Sequence, residues 1–126
     1  MNSPALPVIF RAERSGEVTA VFPTLTADYA GLEFTIYAHI GQHGGATLPW
    51  YRGTRAARPD EYADLLQEVR GICERSHAPG DPVFRLDVCR RFTAAHRAAW
   101  HADARAARER LRVDPAGGPW TPESVS

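Results

Sequence analysis

The chain contains no lysine: all fifteen basic side chains are arginine, balanced by fifteen carboxylates over 126 residues. Zero formal net charge and 44% hydrophobic content are those of an ordinary folded domain, which argues against a disordered or membrane-embedded chain. Arginine, alanine, glycine and proline are abundant together, as GC-rich codon usage produces, so the missing lysine carries no functional meaning. Cysteine is also scarce. Cys73 and Cys89 have neither the density nor the spacing of a disulfide framework or a zinc knuckle, which fits a reducing cytoplasmic setting and buried thiols. No apolar run approaches the roughly 18 residues that a membrane-spanning helix needs. Met1 to Pro7 lacks the basic and apolar regions of a signal peptide. A cytoplasmic protein without a membrane partner is the expectation.

A chain of this length suits one domain with a small core. Val8 to Ala12 and Val18 to Phe22 are β-favouring runs around a Ser15-Gly16 turn, the pattern of a hairpin. From Leu32 the alternation is cleaner: Leu32, Phe34, Ile36, Ala38 and Ile40 fall on one face, Glu33, Thr35, Tyr37 and His39 on the other. This predicts a third strand with one buried face and Tyr37 and His39 outward. Ala46 to Arg58 holds a short fourth strand or an ordered loop. Pro59, Asp60 and Glu61 suit the first turn of a helix, and Tyr62, Leu65, Leu66, Val69 and Ile72 recur at helical spacing. Ser76 to Pro82 breaks that helix, Val83 to Val88 reads as a returning strand, and Thr93 to Arg112 as an alanine-rich helix. The domain is expected over 1–113, with 114–126 a flexible Pro/Gly tail in which Trp120 docks at most.

His39-Ile40-Gly41-Gln42-His43-Gly44-Gly45 is the richest stretch for chemistry, because imidazole titrates near neutral pH and glycine admits close backbone approach. Four readings remain open for it. His39 and His43 are candidate catalytic groups for general acid/base work, with Tyr37, Gln42 and Gly44 as binding neighbours. A metal would need a third ligand, for which Asp28 and His77 are the only suggestions, so no metal ligand set is assigned. Consecutive glycines can cradle a phosphate, yet neither a P-loop nor a dinucleotide fingerprint follows, so no cofactor is expected. The fourth reading is a purely structural turn. A Cys89–His96 nucleophile pair has no orienting third group to support it.

The second candidate is electrostatic. Arg85 to Arg112 contains eight arginines against Asp87, Asp103 and Glu109. On a helical wheel Arg97, Arg105, Arg108 and Arg112 with His101 form one stripe within about 80°. Ala95, Ala99, Ala106 and Phe92 then face inward, with Trp100 and Leu111 at the margin. Such a stripe either tracks nucleic-acid phosphates or is a solvated helix face.

Val8-Ile9-Phe10-Arg11, Ala20-Val21-Phe22-Pro23, Ala27-Asp28-Tyr29, Tyr37 through Gly44 and Arg58-Pro59-Asp60-Glu61-Tyr62-Ala63-Asp64-Leu65 occur in the order of a group of proteins with an FP, HIGQHG and P-x-E-Y-x-x-L pattern. The chain resembles these small uncharacterised bacterial and phage-associated proteins over about Val8 to Arg91. The resemblance implies a bacterial or mobile-element context but no activity. Asp60, the long arginine–alanine helix continuing to Arg112 and the proline–glycine tail depart from it.

The reading is therefore an α+β domain: a small antiparallel sheet of three or four strands, one packed helix and a C-terminal helix with an exposed arginine face. The function expected is docking of an anionic or nucleic-acid-like partner. Its rivals are a small histidine- or metal-dependent hydrolase or transferase built on His39 and His43, and a homodimeric interaction module.

Overall fold

In a computed structural model the structure describes residues 5–39, 42–75 and 84–111. The expected α+β architecture is present. Nine elements follow one another: β1 (Ala5–Ala12), β2 (Val18–Thr26), β3 (Phe34–Ala38), β4 (Gln42–Ala46), α1 (Leu48–Arg52), β5 (Arg55–Ala56), α2 (Pro59–Arg75), β6 (Arg85–Cys89) and α3 (Ala94–Leu111). The hairpin closes as its turn residues require, with Gly16 at φ +91°.

The sheet is wider than three or four strands. Six strands join it, in the order β4-β3-β2-β1 followed by β5 and β6, which share the far edge of β1. β5 pairs antiparallel with Arg11 and Ala12, whereas β6 runs parallel to Ala5–Ile9. β2 carries Pro23 internally, and the β2–β3 register slips between Phe22 and Thr26, where a residue without an N–H is tolerated.

Both faces of this sheet are covered. Leu6, Val8, Phe10, Ala20, Phe22 and Tyr37 pack with Leu65 and Val69 of α2. On the opposite face Ile9, Val21, Phe34 and Ala46 pack with Trp100 of α3, and Leu48, Trp50 and Tyr51 around α1 close the same layer. Val8-Ile9-Phe10 and Ala20-Val21-Phe22 are consecutive buried residues, as a strand covered on both sides demands. The one-faced third strand is thereby corrected: Tyr37 is 3% exposed and belongs to the α2 layer, because α2 covers the face that the alternation assigned to solvent.

α2 starts at Pro59, with Glu61 at the third helical position accepting the Arg58 N–H at 2.8 Å, half of a capping box. Its carboxylate also takes both Arg55 guanidinium nitrogens, at 2.8 and 2.7 Å. The Arg55 bond, then the Arg58 N–H, lowers the Glu61 pKa to about 2 from an ordinary 4.5. A pKa depressed on folding adds stability above the unfolded value and loses it as pH falls toward the folded one. Stability should therefore decline through the window from about 4.5 to about 2. Glu61→Gln should flatten that part of a stability–pH profile measured by urea unfolding; an unchanged acid limb would contradict this account.

Candidate functional site

Gln42 to Gly45 of the glycine-rich run are strand and not loop. Gln42 to Ala46 form edge strand β4, so His43 lies directly across from Tyr37, Gln42 from Ala38 and Gly44 from Ile36. Among the described glycines only Gly16 and Gly31 have positive φ, so Gly44 and Gly45, within β4, hold extended backbone and not the alternating geometry of an anion nest. The phosphate-cradle reading fails on that conformation. Ile40 and Gly41 lie outside the described residues.

His39 ends near β3, two-thirds of its side chain exposed at 66%, with Nδ1 2.9 Å from Glu68 Oε1. The Tyr37 hydroxyl donates to the other oxygen of the same carboxylate. His43 packs its ring edgewise on Tyr37 with centroids 4.8 Å apart. The two histidines thus meet through Tyr37 and Glu68; no ring contact joins them to each other among the described residues. Glu68 was missed in the sequence, although it sits three residues after Leu65 and four before Ile72, inside the helical stripe that α2 buries.

Neither the metal suggestion nor the nucleophile pair gains a partner among the described residues. Asp28 uses its carboxylate to accept the N–H groups of Gly31, Leu32 and Glu33, at 3.0, 3.0 and 3.1 Å, and His77 lies outside the described residues. No group of three His, Cys, Asp or Glu that could hold a metal gathers among the described residues. Cys89 turns its thiol to the Asp87 carbonyl at 3.4 Å, and burial, followed by the Asp87 charge, raises its pKa. His96 instead accepts the Thr93 N–H at 3.1 Å, closing the first turn of α3. Cys89 is therefore no activated nucleophile.

The arginine helix is rotated from its expected setting. Trp100, Ala104 and Ala107 are buried at 2%, 1% and 7%, whereas Ala95, Ala99 and Ala106 face solvent. The size of Trp100 decides the orientation: its indole N–H donates to the Glu33 carbonyl at 3.0 Å and its ring meets Phe34 edgewise at 5.4 Å. Arg97, Arg105 and Arg108 nevertheless remain exposed with His101 on one flank, as the wheel predicts. Arg112 lies outside the described residues.

That flank borders the β2–β3 connection. Arg108 donates to the Tyr29 carbonyl, and Asp103 accepts the Thr26 N–H at 2.8 Å. Gly31, at φ +75°, passes under α3 so closely that a Cβ would stand 3.3 Å from Ala104 Cβ. With its backbone N–H groups turned onto Asp28, the connection exposes Tyr29 (54%) and Leu32 (69%). Between it and α3 runs an open groove of about 390 Å³ lined by Gly31, Leu32, His101, Arg105 and Arg108. Sequence reasoning found these arginines but not Tyr29 and Leu32, whose exposure follows from the Asp28 staple.

No protein-family model, curated protein or solved structure matches the chain.

Gly44 and Gly45 provide a test of this local geometry. A Cβ at Gly45 would stand 2.8 Å from Ala27 Cβ and run into the Glu33 carboxylate, whereas at Gly44 the nearest atom is Ile36 Cγ1 at 3.9 Å. Gly45→Ala should destabilise the fold by about 1–3 kcal/mol through overpacking. Gly44→Ala should change it by no more than about 0.5 kcal/mol. Chemical unfolding of the two variants checks the contrast, and equal effects would refute it.

Proposed function

We propose that the chain binds single-stranded nucleic acid along the basic flank of α3. The observation that carries this reading is the juxtaposition, around one groove, of Arg105, Arg108 and His101 with Leu32, where Arg108 holds the carbonyl of the exposed Tyr29. Guanidinium groups supply sequence-independent attraction to phosphates, and an exposed aromatic ring beside them offers a stacking surface for an unpaired base. From Arg97 to Arg108 the helix advances about 16 Å, enough to follow a few successive phosphates. Arg97 and Arg105 have no carboxylate partner among the described residues, so neither has to surrender an ion pair on binding. A duplex has its bases stacked internally and gains nothing from Tyr29.

A second reading is favoured by one observation. His39 Nδ1 faces Glu68, whose other oxygen is taken by Tyr37, so a carboxylate holds the imidazole while Nε2 is left for proton transfer. This makes His39 a candidate general base in a hydrolase, with Tyr37 and His43 as its packing support.

Fluorescence anisotropy with a labelled oligothymidylate of about 12 nucleotides decides between them. Affinity is expected to fall with salt at a log–log slope of about −2, as three phosphate contacts at roughly −0.7 each imply. Arg97→Glu with Arg105→Glu should lower affinity at least about tenfold, and Tyr29→Ala should cost about 1–3 kcal/mol. His39→Ala should leave affinity unchanged. Absent or salt-insensitive binding would sink the proposal. Cleavage of the oligonucleotide that is lost in His39→Ala would establish the second reading instead.

A further inference from the structure

A separate concavity arises from the way β1 shares its far edge. β5 covers Arg11 and Ala12, β6 covers Ala5 to Ile9, and the two meet opposite Phe10. There the Ala57 N–H donates to the Phe10 carbonyl at 3.0 Å and the chain departs into α2 on one face. From Cys89 the chain leaves β6 toward α3 on the opposite face. Connections that leave neighbouring strands for opposite faces cannot close over the point where they part, the same geometric cause that opens ligand crevices in α/β sheets.

The opening measures about 350 Å³, within the range of small-molecule sites. Its apolar lining includes Phe10, Ala57, Tyr62 and Val88. Phe10 and Tyr62 are stacked, with centroids 4.4 Å apart and planes 11° from parallel. Val88 remains 37% exposed although it lies beside them. Two exposed guanidinium groups, Arg58 and Arg90, belong to the same lining. Arg58 is engaged by Asp60 at 3.3 Å, whereas Arg90 has no carboxylate partner among the described residues. At the start of α2 the Arg58 N–H is already taken by Glu61, and the Glu61 and Tyr62 N–H groups donate to the Arg58 carbonyl.

We propose that the crevice where β5 and β6 part binds a small aromatic anion, its ring against Tyr62 and Val88 and its carboxylate or phosphate on the Arg90 guanidinium. Apolar walls containing two rings select a flat hydrophobic body, and a single unpaired guanidinium selects one anionic group, which it can hold through two parallel hydrogen bonds. The site is distinct from the α3 flank and does not depend on nucleic-acid binding there.

The test is a titration of the full chain with adenosine monophosphate and, separately, indole-3-acetate, followed by backbone amide chemical shifts. Saturable shifts of Ala57, Val88 and Arg90 are expected with at least one anion, and the comparison of the two shows whether phosphate or carboxylate is preferred. Adenosine and indole, which keep the rings but lack the charge, should bind at least about tenfold more weakly, as should either anion to Arg90→Ala. Val88→Trp, which fills the crevice, should abolish the shifts; if that variant does not fold, Arg90→Ala at its exposed position still decides. The proposal is overturned if neither anion shifts these amides, if the uncharged rings bind equally well, if Arg90→Ala binds normally, or if the shifts map to Arg97–Arg108.

Discussion

The seating of Trp100 on the Glu33 carbonyl and the Phe34 ring governs this molecule. An indole buried to 2% must find an acceptor for its N–H, and the carbonyl at the start of β3 supplies it. That one bond sets the rotation of α3 about its axis. Ala104 then comes down against Gly31, Asp103 reaches the Thr26 amide and Arg108 reaches the Tyr29 carbonyl. The basic flank is consequently held against the β2–β3 connection instead of projecting freely. Its charge is placed beside Tyr29 and Leu32 by packing on the far side of the helix.

Much of the fold was readable because local chemistry and tertiary packing agree. The Ser15-Gly16 turn, Pro59 at the start of α2 and the Leu65–Val69–Ile72 stripe each have a local cause that the folded chain keeps. Disagreement arises where one pattern has two structural solutions. Strict alternation in 34–38 identifies a strand but not whether its second face is wet, and only the contiguous apolar runs in β1 and β2 announce a sheet covered on both sides. Glycines at 44 and 45 suggest a loop, yet Gly45 is required by the close approach of Ala27 to an extended strand. The seating of α3 was illegible because alanine is at home on either face of a helix, so its eight alanines outweighed one decisive tryptophan in the averaged pattern.

The candidate sites show the same division. The arginines of α3 were visible as a stripe because charge is exposed wherever it falls. Glu68 was not, since a carboxylate in an apolar stripe has meaning only once Tyr37 and His39 are known to face it. The histidine pair ceases to be two ligands at fixed spacing and becomes one carboxylate-held imidazole, His39, and one ring, His43, packed on the tyrosine that shares the carboxylate.

The parallel pairing of β1 with β6 also has a consequence for biosynthesis. Ala5 is partnered by Arg85, so the contacts completing the edge of β1 are among the most distant along the chain. While the ribosome is still making the segment between them, the β1–β4 meander can assemble from neighbouring strands, but its Ala5–Ile9 edge presents an unpaired row of backbone donors and acceptors beside Val8 and Ile9. The late-emerging strand Arg85–Cys89 acts as the intramolecular cover for that row. Nascent or truncated chains that end before it carry an adhesive sheet margin that the finished protein conceals.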